Sequence, residues 1–207
     1  MKTKRFWSLR LSVVAVLLLI GSALFVTSAS AGGSHKETKF RWDIISVDFA
    51  TGTLSAGGIA SAIANDGSMT TLTGHGTFVP EEGFGNHDVT GGGTWQTFDP
   101  SGKATASGTY KVTGFVSWLV APGTPPLPHD NIGNLKDNRA GLLFVTIRYS
   151  DGSTGVLTVS CHLVGTPDSV FEGIRVSKGF VDYWNGNAPP APPGNANRTT
   201  FHILEED

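Results

Sequence analysis

The chain has 207 residues, with 15 Lys and Arg against 17 Asp and Glu, six His, 27 Gly and one Cys. That length supports a single domain with a sizeable core. The acidic balance, without a basic stripe, argues against nucleic acid and anionic membranes as partners. One cysteine excludes an internal disulfide framework.

The first 31 residues read as an export signal. Lys2, Lys4, Arg5 and Arg10 precede an apolar run over 11–26, and Ala29-Ser30-Ala31 forms a small-x-small cleavage site. The run is shorter than the roughly 20 residues that span a bilayer. The expectation is therefore a cleaved, secreted or extracytoplasmic protein with no membrane anchor. Cleavage leaves 11 basic against 17 acidic residues, a net charge of −6. A short tail, 32–39, then leads into one domain, 40–207.

The body reads as all-β. No apolar pattern after the signal repeats at helical spacing, whereas Thr, Val, aromatic and Gly residues abound. Strands are predicted over 40–49, 57–64, 68–79, 89–98, 103–118, 141–149, 154–163, 172–184 and 199–204. Asn65-Asp66-Gly67, Asp99-Pro100-Ser101-Gly102 and Ser150-Asp151-Gly152 form tight turns, because Gly supplies the positive φ that hairpins need. Two connections, 120–139 and 185–198, are long and proline-rich. Loops of that length are usually functional or mobile.

A Gly-Thr-aromatic repeat recurs at "GHGTF" from Gly74, "GGGTW" from Gly91 and "ASGTY" from Ala106. Interior strand glycine weakens a sheet unless the sheet bends sharply or an aromatic covers the gap. The pattern predicts a coiled sheet, an antiparallel up-and-down β-barrel of about eight to nine strands. The alternative is a β-sandwich or jelly roll. Barrels of this size resemble, in architecture alone, the lipocalin-like ligand carriers and the barrel cyclases of the allene oxide cyclase type.

In "LTVSCHLVG", the cysteine stands beside a histidine. Adjacent strand residues point to opposite faces, so His162 is out of reach as a base for Cys161. A three-residue turn at 150–152 puts Leu157, Val159, Cys161 and Leu163 on the face of Leu143, Val145, Ile147 and Tyr149. Cys161 then reads as a buried small hydrophobe.

If strands run up and down, the tight turns share one end and the segments 50–56, 80–88, 119–140 and 164–171 share the other. His75, His87, Asp88, Trp118, His129, Asp130, His162 and Glu172 are the ligand-binding candidates at that loop-rich mouth, and His202 falls toward it. Histidine with carboxylate suits acid–base work or metal binding. No His-x-His spacing backs a metal site, and no cofactor is called for. Asn197-Arg198-Thr199 matches the N-glycosylation pattern. No sequence motif singles out a catalytic residue. The first expectation is an exported barrel that binds a small ligand at its mouth. The alternatives are a barrel enzyme (isomerase, cyclase or hydrolase) using histidine and carboxylate acid–base chemistry, and a cell-surface interaction module.

Overall fold

In the computed structural model, the residues described are 38–80, 88–186 and 197–204. They form β1 (Lys39–Asp48), β2 (Thr53–Ala56), β3 (Ala60–Ile63), β4 (Met69–Leu72), β5 (His75–Phe78), β6 (Gly92–Phe98), β7 (Ala104–Ala121), β8 (His129–Asp130), β9 (Asn138–Tyr149), β10 (Thr154–Cys161), β11 (Gly173–Lys178), β12 (Val181–Tyr183) and β13 (Arg198–Leu204), plus a 3-10 turn at Leu135–Asp137. The export signal lies outside the described residues.

The chain is an all-β protein built on a closed antiparallel barrel. Following the pairings, β1 joins β5, β5 joins β6, β6 joins β7, β7 joins β9, β9 joins β13, and β13 returns to β1. The ring thus closes with six strands, fewer than the eight to nine the sequence suggests. The difference arises at two forks. One edge of β6 pairs with β5 at Gly92 and with β4 from Trp95 to Phe98. One edge of β9 pairs with β13 at Asn138 and Arg139 and with β10 from Gly141 to Arg148. The strands β3–β4 and β10–β12 extend from those forks, and an Ile63–Asn185 bridge joins their far ends.

Two predicted strands are in fact two elements each. The segment 68–79 breaks at Thr73-Gly74, where the chain changes partner; a Cβ on Gly74 would lie 2.9 Å from Gly92 O. The segment 172–184 folds back as the β11–β12 hairpin around Gly179, whose φ is +60°. Phe180 and Trp184 consequently stand exposed instead of sharing the face of Ile174 and Val176.

The barrel interior is filled. Phe40, Trp42 and Ile44 alternate inward from β1 and meet Leu72, Trp95, Tyr110, Leu143, Leu157 and Phe201 in one buried cluster. Each fully buried aliphatic or aromatic side chain of this kind contributes roughly 1.5–3 kcal/mol. The repeat glycines let indoles lie against backbone: a Cβ on Gly76 would stand 2.7 Å from Trp42 Nε1, and one on Gly108 3.0 Å from Trp95 Nε1.

The opposite face of β1 is also covered. Ile45, Val47 and Leu54 form a second buried cluster with Leu127 and Ile132 from the proline-rich segment. That segment, 122–137, is a strap over the outside of the barrel. Its β8 runs parallel to β2, Thr53 opposite His129 and Leu54 opposite Asp130. Asn131 Nδ2 donates to Ser55 Oγ at 3.0 Å, and Thr166 Oγ1 donates to Pro122 O at 2.7 Å.

Candidate functional site beneath the strap

A pocket of about 180 Å³ opens between the strap and the outer barrel wall. Ile45, Val47, Leu54, Leu127 and Leu163 give it apolar walls, and Pro125 and Pro126 roof it. The walls exist because β1 carries apolar side chains on both faces, Ile44 inward and Ile45 and Val47 outward. Its polar side is Asn138, Glu172, Arg198, Thr199 and Thr200, with Cys161 and His162 alongside.

Glu172 sits at the β9 fork, where β10 and β13 diverge and leave backbone N–H groups without ladder partners. Its Oε2 accepts from His162 N at 2.5 Å and its Oε1 from Thr199 N at 2.7 Å. Thr199 Oγ1 closes the same gap by donating to Ser160 O at 2.5 Å. Burial pushes the Glu172 carboxyl up to about 7, opposed by its hydrogen bonds and by the nearby Arg198. The carboxyl therefore exchanges a proton near neutral pH, the range useful for acid–base work.

Among the described residues, two buried polar atoms in the pocket lining have no hydrogen-bond partner. They are Arg198 Nε and Asn138 Oδ1. Asn138 Nδ2 is satisfied, donating to Thr200 Oγ1 at 2.8 Å. The Arg198 guanidinium lies 5.8 Å from the Phe49 ring centroid, so the exposed Phe49 flanks the cation. Most buried polar groups in folded proteins are paired.

Cys161 is 1% exposed and packs in the barrel core; burial raises its thiol well above the usual range. The β9–β10 register sets Leu157 opposite Val145 and Val159 opposite Leu143. The ring of His162 faces away from the thiol to Val170 O, 2.6 Å from Nδ1.

The sequence-predicted candidates separate. His162 and Glu172 line the pocket. Asp130 instead bonds His202, its Oδ2 2.6 Å from Nε2, with both side chains buried, while Oδ1 accepts from Ile132 N and Gly133 N. His129 is exposed on the strap, its backbone N donating to Gly52 O. His75 is exposed opposite Asp43 on β1. Asp88 is exposed beside the Phe78–Val89 bridge. Trp118 packs against Phe201 at 4.5 Å and near Phe40 and Phe78, an aromatic plug and not a pocket wall. His87 lies outside the described residues. Among the described residues, no group of three or more His, Cys, Asp and Glu side chains could hold a metal ion.

Asn138 and Arg198 went unread in the sequence. Their signal was faint: each lies at the end of a long proline-rich connection, 120–139 or 185–198, and opens the strand that follows, β9 or β13. The Asn197 carboxamide is turned into the fold, Oδ1 accepting from Ser61 N at 2.6 Å and Nδ2 donating to Gly186 O at 3.1 Å. A glycan on that nitrogen would displace the Gly186 contact.

Fold and site together define an antiparallel β-barrel with a strapped surface pocket. The chain matches no protein-family model, no curated protein and no solved structure.

Proposed function

We propose that the protein is exported and binds a small, mainly apolar molecule with a polar end in the pocket beneath the strap. The observation that carries this reading is the pair of buried atoms, Arg198 Nε and Asn138 Oδ1, without hydrogen-bond partners among the described residues in a cavity with mainly apolar walls. A ligand that hydrogen-bonds them offsets a desolvation cost of about 1–3 kcal/mol per group. Size points the same way. An apolar cavity of about 150 Å³ holds benzene, so one of about 180 Å³ suits a molecule of one ring or a short branched chain. Apolar walls with few polar groups are the usual make-up of small-molecule sites.

The packed barrel core supports a site on the outer wall in place of the loop-rich mouth. Glu172 keeps the enzyme alternative in play, since a carboxyl at about 7 inside the pocket can serve as acid or base. Titration with benzyl alcohol, followed by methyl NMR, tests the binding reading. Saturable shifts confined to Ile45, Val47, Leu54, Leu127 and Leu163 are expected. Shifts spread over the surface, or none, would refute it.

A further inference from the structure

If the pocket holds a small molecule, as proposed above, its polar end can be specified further from the charges that face it. From β13 comes one guanidinium, Arg198, with Nε buried and unpartnered. From the start of the β11 segment comes one carboxyl, Glu172. From the end of β10 come Cys161, whose burial keeps it a neutral thiol, and His162, whose Nδ1 is taken up by Val170 O. The strap and β1–β2 present Ile45, Val47, Leu54, Leu127 and prolines there. Among the described residues, the pocket thus offers one fixed cation and one carboxyl whose oxygens are each held by a backbone N–H.

We propose that the ligand carries a carboxylate, that Arg198 holds it through Nε, and that Glu172 takes up one proton from solvent as the ligand binds. The reasoning is charge balance. One guanidinium in an apolar pocket compensates one anion. Two carboxylates beside it would leave an uncompensated buried charge, which is costly and is relieved by protonation. Glu172 is the group that accepts the proton, because it is already held near its neutral form by burial, whereas the incoming carboxylate gains the guanidinium. Protonated Glu172 keeps both backbone hydrogen bonds and turns its new O–H toward the ligand. No covalent bond changes: a carboxylate and a proton enter, and a carboxylate paired with Arg198 beside a carboxylic acid results. Arg pairs with planar carboxylates well, and Nε is one of its five donors.

Calorimetric titration of the full chain with benzoate, at pH 8 in two buffers of different ionisation enthalpy, tests this. Close to one proton should be taken up per benzoate at pH 8 and little at pH 6. The affinity should fall toward tenfold per pH unit above about 7, where free Glu172 is ionised. Glu172→Gln should abolish the uptake and flatten the pH dependence, and Arg198→Met should weaken benzoate at least tenfold and by more than it weakens benzyl alcohol. The wild-type proton count needs no variant, so a misfolded substitution leaves the test standing. Benzoate binding without proton uptake, or benzyl alcohol binding where benzoate does not, overturns the carboxylate assignment and leaves the pocket reading intact. Failure of both probes to bind removes the pocket reading itself.

Discussion

Cys161 and Glu172 are near neighbours in the fold with opposite fates. Cys161 was legible from strand alternation alone, because the pleat fixes which face each residue takes. The native thiol should react with a labelling reagent only as fast as the protein opens, and the unfolded thiol at once. Cys161→Ser should cost about 1–3 kcal/mol by placing a hydroxyl in an apolar site. Fast native labelling would contradict this. Glu172 was legible as a candidate at a strand end, but its buried setting was not, since no local pattern reveals that two strands part beside it. Its carboxyl titrates at about 7 in the fold against about 4.5 for an ordinary glutamate. The folded state therefore holds a proton that the unfolded state has released between those values. Stability should fall as pH rises from about 4.5 to about 7, by about 3 kcal/mol, and level off above. Urea unfolding across that range measures the slope, and Glu172→Gln should remove most of it. An unchanged slope in the variant would assign it to another group.

The strap illustrates what element-scale reading captures and what it misses. The segment 120–139 stood out as long and proline-rich. Its strand β8, its parallel pairing with β2 and its cover over Ile45 and Val47 depend on contacts distant in sequence. One signal was present: Ile44 and Ile45 side by side, with Val47 beyond, make both faces of β1 apolar, and a strand apolar on both faces needs cover on both. The buried Asp130–His202 bond ties the middle of the strap to β13, and Gly133 lies tight against the imidazole, where a Cβ would come within 2.8 Å of His202 Cδ2. Asp130→Ala leaves His202 buried without a partner on either nitrogen, because Nδ1 already has none. It should cost about 1–3 kcal/mol and speed amide exchange over 122–137 more than over β9 and β10. Uniform acceleration across the barrel would mean the bond is not a strap anchor. The split of 172–184 into two strands was a matter of turn chemistry: Gly179 at positive φ reverses the chain where the alternation suggested continuity.

At the scale of the whole molecule, composition and turn spacing were enough for an antiparallel barrel, because Gly-rich strands and Asp- and Gly-containing turns are local signals. The closing partners were not legible. Forks at β6 and β9 arise where one strand edge serves two neighbours, a choice made by tertiary packing. They reduce the ring to six strands and create, at the β9 fork, the gap that Glu172 fills. The candidate site was legible in part for the same reason: loop-end residues such as His162 and Glu172 could be placed by parity, whereas the pocket itself lies between a strap and a wall. Export remains an expectation of the leader sequence. N-terminal sequencing of the exported protein should find Gly32 first, and a chain retaining 11–26 in the membrane would refute cleavage.

Leu54→Trp decides whether the space beneath the strap is a ligand site or a packing gap. Leu54 is 4% exposed and lines the pocket, so an indole there occupies the volume a ligand would take. Benzyl alcohol titrated into both proteins at matched folded fraction, read by calorimetry, should give saturable binding to the wild type and none to the variant. Equal binding to both, or no saturable binding to the wild type, would make the space a packing gap.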